Sequence, residues 1–264
     1  MLNGFKHNNN LIIINADDFG YDLAINQAIY KSFQLGLIHS SSVFVNMDGF
    51  EDATDIIRSD HYISRNVGLH INLTEGYPVA DAIKSCKRFC DESGKFFYTR
   101  QKPIFRLTGI EKTAVYEEMV AQMELLLRAG VHPSHLDSHH HVHTEWPILK
   151  LVIILAKKYS IQNIRPARNM GLQRSLFKMV YKSLLNNYLK YRVGMANADL
   201  FGNLDDFEAL MKNTHTKGKS IEIMVHPNID QRQDIIDDNG NNLNAKLVNI
   251  ISDMKTIYHF AGEE

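Results

Sequence analysis

Cysteine is almost missing from this chain: Cys86 and Cys90 are the only two in 264 residues. Two thiols four residues apart build no disulfide framework, and a reducing compartment, the cytoplasm, is expected. Excess charge of either sign is missing too, with 29 basic residues against 30 acidic and a formal net charge of -1. No general pull toward nucleic acid or an anionic membrane follows from that balance. Long apolar runs are also absent. The stretch from Met1 to Asn10 carries many polar residues and reads as a flexible tail, the apolar run after it is only Leu11 to Ile14, and the longest later one is Leu151 to Ala156. None approaches the roughly 18 residues of a membrane span or the layout of a signal peptide. Internal repeats, low-complexity tracts and interdomain linkers are lacking. With 44% apolar residues, residues 1–264 read as a single α/β domain.

What is present is alternation. Short apolar, β-branched runs recur between helical patterns, as parallel strands joined by helical crossovers do. Leu11 to Asn15 reads as the first strand, followed by a helix on Ile25, Ala28, Ile29 and Phe33 with a cap at Asp22 and a stop at Gly36. Ser42 to Asn46 and Val67 to Asn72 read as the next strands, separated by a helix on Phe50, Ala53, Ile56 and Ile57. Residues 74–110 show no clear period; an aperiodic stretch of that length is expected to be a substrate-contacting insertion near the site. A helix on Val115, Met119, Met123 and Leu126 ends at Gly130, and a strand runs through Leu136. Helices are predicted over 146–158, 173–189 and 204–214, strands near 163–166, 198–201 and 220–225, and a surface turn over Asp237 to Asn244. About seven parallel strands fit an open doubly wound sheet or, the favoured reading, a distorted or incomplete (β/α) barrel. Either places functional groups at the carboxyl ends of strands.

Histidine is the unusual abundance, at thirteen. Polar clusters sit where apolar strands end. The first, Asn15-Ala16-Asp17-Asp18-Phe19-Gly20, sets two carboxylates side by side; they are turn residues, or one meets a cation while its neighbour moves a proton. In the second, His70 interrupts an apolar strand and by itself reads as a hydrogen-bonded core residue. The third, Ser134 to His143, packs five histidines and Asp137 into ten residues. Packing does not explain such density, whereas metal ligation or proton transfer does. If the strand continued, alternation would send His139, His141 and His143 to one side. A fourth apolar strand ends at His226-Pro227, and Arg165 at another strand end is placed to orient a carboxylate or a substrate oxygen. Cys86 and Cys90 have no further soft ligands beside them, and the basic stretch holding Lys178, Lys182, Lys190 and Arg192 reads as a solvated helix face.

These clusters together resemble the YdjC-like carbohydrate deacetylases, a family that includes enzymes acting on chito-oligosaccharides. The resemblance rests on Asn15 to Gly20, Ser40-Ser41-Ser42 with Val45-Asn46, Gly68-Leu69-His70 with Leu73-Thr74-Glu75-Gly76, His135 to His143, and Glu222 to Pro227. It implies a distorted (β/α) barrel related to polysaccharide deacetylases. Carried over by position, it makes Asp18, His70 and His139 the metal ligands, Asp17 the catalytic base and His226 the acid, with the roles of the two adjacent aspartates interchangeable on the residues alone. Mixed oxygen and nitrogen ligands admit Mg²⁺ and Zn²⁺; the resemblance favours Mg²⁺. The expected substrate is an N-acetylated sugar, with no nucleic acid or membrane partner, and a homodimer is left open. The rival readings are a metal-dependent phosphoesterase acting on a sugar phosphate and a non-catalytic sugar-binding or regulatory protein. Glycoside hydrolysis lacks a second acidic partner in comparable context.

Overall fold

The computed structural model describes residues 5–7, 10–100, 104–171, 175–211, 218–237, 240 and 242–248. Its centre is β2 (Asn10–Phe19), whose residues Ile12, Ile13 and Ile14 are buried. A strand with parallel neighbours on both edges and helices outside needs apolar side chains on both faces, which explains the unbroken isoleucine run. Toward one side lie β3 (Ser40–Val43), β4 (Val67–Ile71) and β5 (Leu136–Ser138); toward the other lie β7 (Ser220–Val225) and then β6 (Leu200–Asn203). These six strands are parallel. Phe5–His7 forms β1, antiparallel to the start of β2, so part of the expected tail belongs to the sheet.

The predicted strand at 163–166 shrinks to one residue. Ile164 bridges Leu136 on one side and Ala196 on the other. Pro166 has no N–H, so the ladder cannot run on. Through these bridges β5 is linked to the segment just ahead of β6, and the sheet curls back toward its far edge as a distorted, incompletely laddered barrel. A short antiparallel pair, β8 (Asn228–Ile229) and β9 (Ile235–Ile236), follows β7.

The crossovers obey local rules. Helix α1 (Leu23–Gln34) starts where the Asp22 carboxylate accepts from the Ile25 N–H at 2.8 Å, and Gly36 ends it with φ +66°. Helices α2 (Phe50–Ser59) and α3 (His61–Arg65) lead to β4, and a single turn, α4 (Asp81–Lys84), lies in the 74–110 stretch. Helix α5 (Gly109–Arg128) opens with a reciprocal capping box between Thr108 and Glu111. Helix α6 is Trp146–Lys158, as predicted; α7 is Leu176–Asn187, continued by a wider turn through Val193; α8 is Leu204–Met211. The predicted residues 173–174 and 212–214 lie outside the described residues, as do 101–103 of the expected insertion and 238, 239 and 241 of the expected turn.

The described part of the 74–110 stretch is packed rather than loose. Phe89, Phe96 and Leu107 are buried, and the buried Glu118 carboxylate of α5 accepts the Val79 and Ala80 N–H groups at 3.0 and 2.6 Å. Cys86 and Cys90 are buried free thiols there, and burial pushes the Cys90 thiol up to about 11, which suits inert core residues.

Candidate active site

The carboxyl ends of β2, β4, β5 and β7 converge on a cleft of about 840 Å³, lined by Asp17, Asp18, His70, His139 and His226 among others. All five residues singled out as ligands or proton-transfer groups therefore face one space. The way the chain separates Asp17 from Asp18 is a β-bulge. On β2, Ala16 and Phe19 pair with Ser41 and Val43 of β3, so two residues oppose the single Ser42. Asp18 takes φ +72°, a left-handed conformation that aspartate tolerates better than most residues. The bulge aims the two neighbouring carboxylates at different partners.

Asp18 Oδ1 lies 3.3 Å from His70 Nε2 and 3.2 Å from His139 Nδ1. One donor atom from each of these three residues fits within a span of 4.8 Å. Burial alone would raise the Asp18 carboxyl, but hydrogen bonds from His139 and His70 hold it well below the usual carboxylate range. His70 Nδ1 is 2.8 Å from Asp137 Oδ1; because the ionised carboxylate only accepts, Nδ1 carries a proton, and Nε2 is the ring atom turned to Asp18. The rings of His70 and His139 both sit edge-on to Phe44, with centroids 4.9 Å away. A carboxylate and two imidazoles, one of them oriented by a second carboxylate, match the donor chemistry of a catalytic divalent-cation site. Against burial, the charge of Asp137 and its hydrogen bond, with Asp18 adding to them, push His70 up to about 10. The field that retains a proton there equally favours a cation.

Beneath this group lies a buried ion network. Arg165, read from sequence as orienting a carboxylate or a substrate oxygen, is 0% exposed and turned to carboxylates. Its guanidinium donates to both oxygens of Asp17 at 2.7 Å, to Glu222 Oε1 at 2.6 Å, and lies 2.7 Å from Asp137 Oδ2. Asn15 adds a hydrogen bond to Asp17 at 2.9 Å. Asp17, His70 and Asp137 could themselves span a cation, yet Arg165 bridges both carboxylates of that set and supplies its positive charge. Asp137 and Glu222 are thus site residues that their sequence positions did not single out. Asp137 was visible only as one acid within a histidine-rich run.

The histidine run divides by backbone conformation. Strand β5 stops at Ser138, and His140 and His141 take φ values of 50° and 55°, so the alternation expected for 139, 141 and 143 does not hold. Only His139 joins the cation group. His140 Nδ1 lies 3.2 Å from the Thr74 hydroxyl, and His141 lines the cleft. His143 Nε2 faces the Arg165 carbonyl at 3.1 Å and must donate to it, so Nδ1 accepts from the Ser138 hydroxyl at 2.6 Å. This neutral ring, driven down to about 3 by burial, fixes the backbone that carries Arg165. His135 is likewise a buried structural residue, 3.2 Å from the Ser42 hydroxyl. A Cβ at Gly68 would come within 2.5 Å of its ring, which is why the residue two before His70 lacks a side chain.

The outer wall of the cleft mixes aromatic and cationic groups: Phe105, Phe177, Tyr181, Arg100, Lys178 and Lys182. The 74–110 stretch supplies Arg100 and Phe105, and the basic stretch read as a solvated face turns Lys178 and Lys182 to the cleft. Among the described residues no helix is long and apolar enough to cross a membrane.

Comparison with known proteins gives the same outline. The model of the family described as YdjC-like protein matches residues 11–256. A carbohydrate deacetylase of Halalkalibacterium halodurans is 34% identical over 150 residues, which are 57% of this chain and 61% of that protein. One from Geobacillus stearothermophilus is 36% identical over 156 residues, 59% of each chain. The aligned stretches thus span about three fifths of these curated relatives. A crystal structure of an Enterococcus faecalis V583 protein, described as a candidate for cellobiose-phosphate cleavage, superposes with a TM-score of 0.65 and 25% identity, covering 84% of this chain and 82% of that one.

Proposed function

Because the chain belongs to the YdjC-like protein family, we propose that it is a metal-dependent hydrolase that removes the acetyl group from an N-acetylated sugar. The observation that carries this reading is the convergence of Asp18, His70 and His139 on one small volume, with Asp17 beside them on the same cleft. Asp18, His70 and His139 are the residues that hold the cation. Mg²⁺ is favoured and Zn²⁺ fits the same donors. A bound divalent cation supplies Lewis-acid polarisation of an acyl oxygen and acidification of water.

The chain's own groups then have distinct tasks. Asp17 takes the proton of the attacking water as general base. Arg165 and Asn15 fix its carboxylate plane from behind, so the group is oriented before substrate arrives. His226, at the end of β7 and on the cleft wall, protonates the departing amine. Phe105, Phe177 and Tyr181 offer apolar faces for sugar rings, while Lys178 and Lys182 reach hydroxyls or other oxygens. A chain of linked N-acetylglucosamine units, as in chito-oligosaccharides, is the substrate class these walls suit. The free buried cysteines fit a reducing compartment.

A two-metal phosphoesterase acting on a sugar phosphate is the rival worth weighing, given the description of the Enterococcus structure. It would need a second cation, and the second donor set shares His70 with the first and is already bridged by Arg165. The one-cation deacetylase is therefore the better fit. Incubating cation-loaded protein with a panel of N-acetylated mono- and oligosaccharides and measuring released acetate is the test. Acetate from at least one of these sugars is expected; verified metal with no release across the panel refutes the reading.

A further inference from the structure

His139 stands between two carboxylates. Its Nδ1 is 3.2 Å from Asp18 Oδ1, and its Nε2 is 3.3 Å from Glu75 Oε2. His70 has the mirrored arrangement, Nε2 toward Asp18 Oδ1 at 3.3 Å and Nδ1 toward Asp137 Oδ1 at 2.8 Å. The same oxygen of Asp18 thus meets the near nitrogen of both rings, and a separate carboxylate lies beyond each far nitrogen. Glu75 is not part of the compact donor group formed by Asp18, His70 and His139, which places it behind the ring rather than at the cation.

We propose that Glu75 is a positioning residue of the cation site: it accepts the Nε2 proton of His139, and so fixes, in the cation-loaded protein, the tautomer whose Nδ1 lone pair binds the cation beside Asp18. The proposal rests on Asp18, His70 and His139 being the cation's ligands. An imidazole that binds a metal through one nitrogen has its other N–H available, and a carboxylate acceptor there sets the ring's orientation and raises its basicity.

The local structure holds Glu75 for that task. The Tyr21 hydroxyl donates to Oε1 at 2.8 Å, leaving Oε2 to His139. The backbone around Glu75 is pinned to Asn72, whose Oδ1 accepts the Glu75 N–H at 3.1 Å and whose Nδ2 donates to the Glu75 carbonyl at 2.8 Å. Gly76 follows with φ +71°, and a Cβ there would sit 2.8 Å from Met47 Sδ. The methionine side chain can yield, so it is the positive φ that calls for glycine in this turn. The Glu75 side chain is 37% exposed against 0% for Asp137, so water screens its contact more and its effect should be the smaller of the two.

Glu75→Ala, Glu75→Gln and Tyr21→Phe in the full chain separate this role from simple packing. Zn²⁺ affinity by calorimetry at fixed pH is the first readout, and the protonated nitrogen of His139 in the zinc-loaded, ¹⁵N-histidine-labelled protein is the second. Removing such an outer carboxylate typically weakens metal binding about 10- to 100-fold, and the lower end is expected for Glu75→Ala. Glu75→Gln should recover much of the loss, because its amide oxygen still accepts from Nε2–H. Tyr21→Phe, which leaves the carboxylate in place, should cost less. The wild-type protein should show the proton on Nε2 of His139. Unchanged Zn²⁺ affinity in Glu75→Ala, or a loss that Gln does not relieve, overturns the proposal, as does a proton found on Nδ1. Zn²⁺ affinity unaltered by His139→Ala overturns the ligand assignment itself, whatever Glu75 does.

Discussion

Replacing Arg165 by methionine keeps roughly the side-chain length and removes the one guanidinium that serves three buried carboxylates. Asp17, Asp137 and Glu222 are each at most 2% exposed, and all contact Arg165 within 2.7 Å. Removing one partner of a buried ion pair costs about 3 to 5 kcal/mol. Three dependants would push the loss toward the upper figure were it not that carboxylates can take up protons instead. Each unit by which a carboxyl must rise costs roughly 1.4 kcal/mol. The sign with pH follows. In the native protein Asp137 is held well below the usual range against burial by the charges of Arg165 and His70, so its contribution exists above its unfolded value and fades as pH falls. In the variant the folded-state values of the freed carboxyls rise above their unfolded ones, so the variant loses stability as pH climbs through neutrality. Its deficit must therefore be larger at pH 7 than at pH 5. For a chain of this size 1 kcal/mol moves Tm by about 2 to 4 °C, and a drop of roughly 6 to 20 °C at pH 7 is expected in a circular-dichroism melt. A drop of only a degree or two, or one equal at both pH values, would refute the view that Arg165 neutralises this network.

His70→Ala and His139→Ala should each lower metal occupancy and acetate release together while leaving the fold mostly intact, with the larger loss of Tm in His70→Ala because the buried Asp137 loses a partner; full occupancy in both, by metal analysis of the purified proteins, removes them from the cation site. Asp17→Asn should retain the metal and lose about 10²- to 10⁴-fold in rate, whereas Asp18→Asn should chiefly weaken metal binding, as an amide oxygen is the poorer donor; equal and small effects in both variants sink the two-carboxylate scheme. Acid should destabilise the fold through buried histidines: burial drives His39 and His135 down to about 4 and His143 to about 3, so the unfolded chain binds their protons first. Stability is fully present above the unfolded value of about 6.5 and falls below it, by at most roughly 1.4 kcal/mol per pH unit for each ring; urea midpoints that stay flat between pH 6.5 and 4.5 would contradict this.

How much of this site could be read in advance depends on whether the geometry was local. Val67–Ile71 and Ser220–Val225 emerge almost as their apolar runs predict, and the acids and histidines at strand ends land on one cleft because a parallel barrel brings carboxyl ends together. Alternation fails at two points. The bulge at Asp17 and Asp18 is a register shift against β3, and no pattern within β2 announces it. The left-handed pair His140 and His141 breaks the strand on which the 139, 141, 143 pattern depended. Ser40, Ser41 and Ser42 mislead in the other direction. The predicted strand begins only at Ser42, yet the strand starts at Ser40 and all three serines are buried. Ser40 and Ser41 donate to the Asn15 side chain and the Ala16 carbonyl, and Ser42 donates to Asp137. The Ser42 hydroxyl adds a donor where Asp17, Asp137 and Glu222, from strands far apart in the chain, gather around a single Arg165. A gathering of buried acids of this kind is a property of the assembled end of the barrel, and it supports the cation site proposed there.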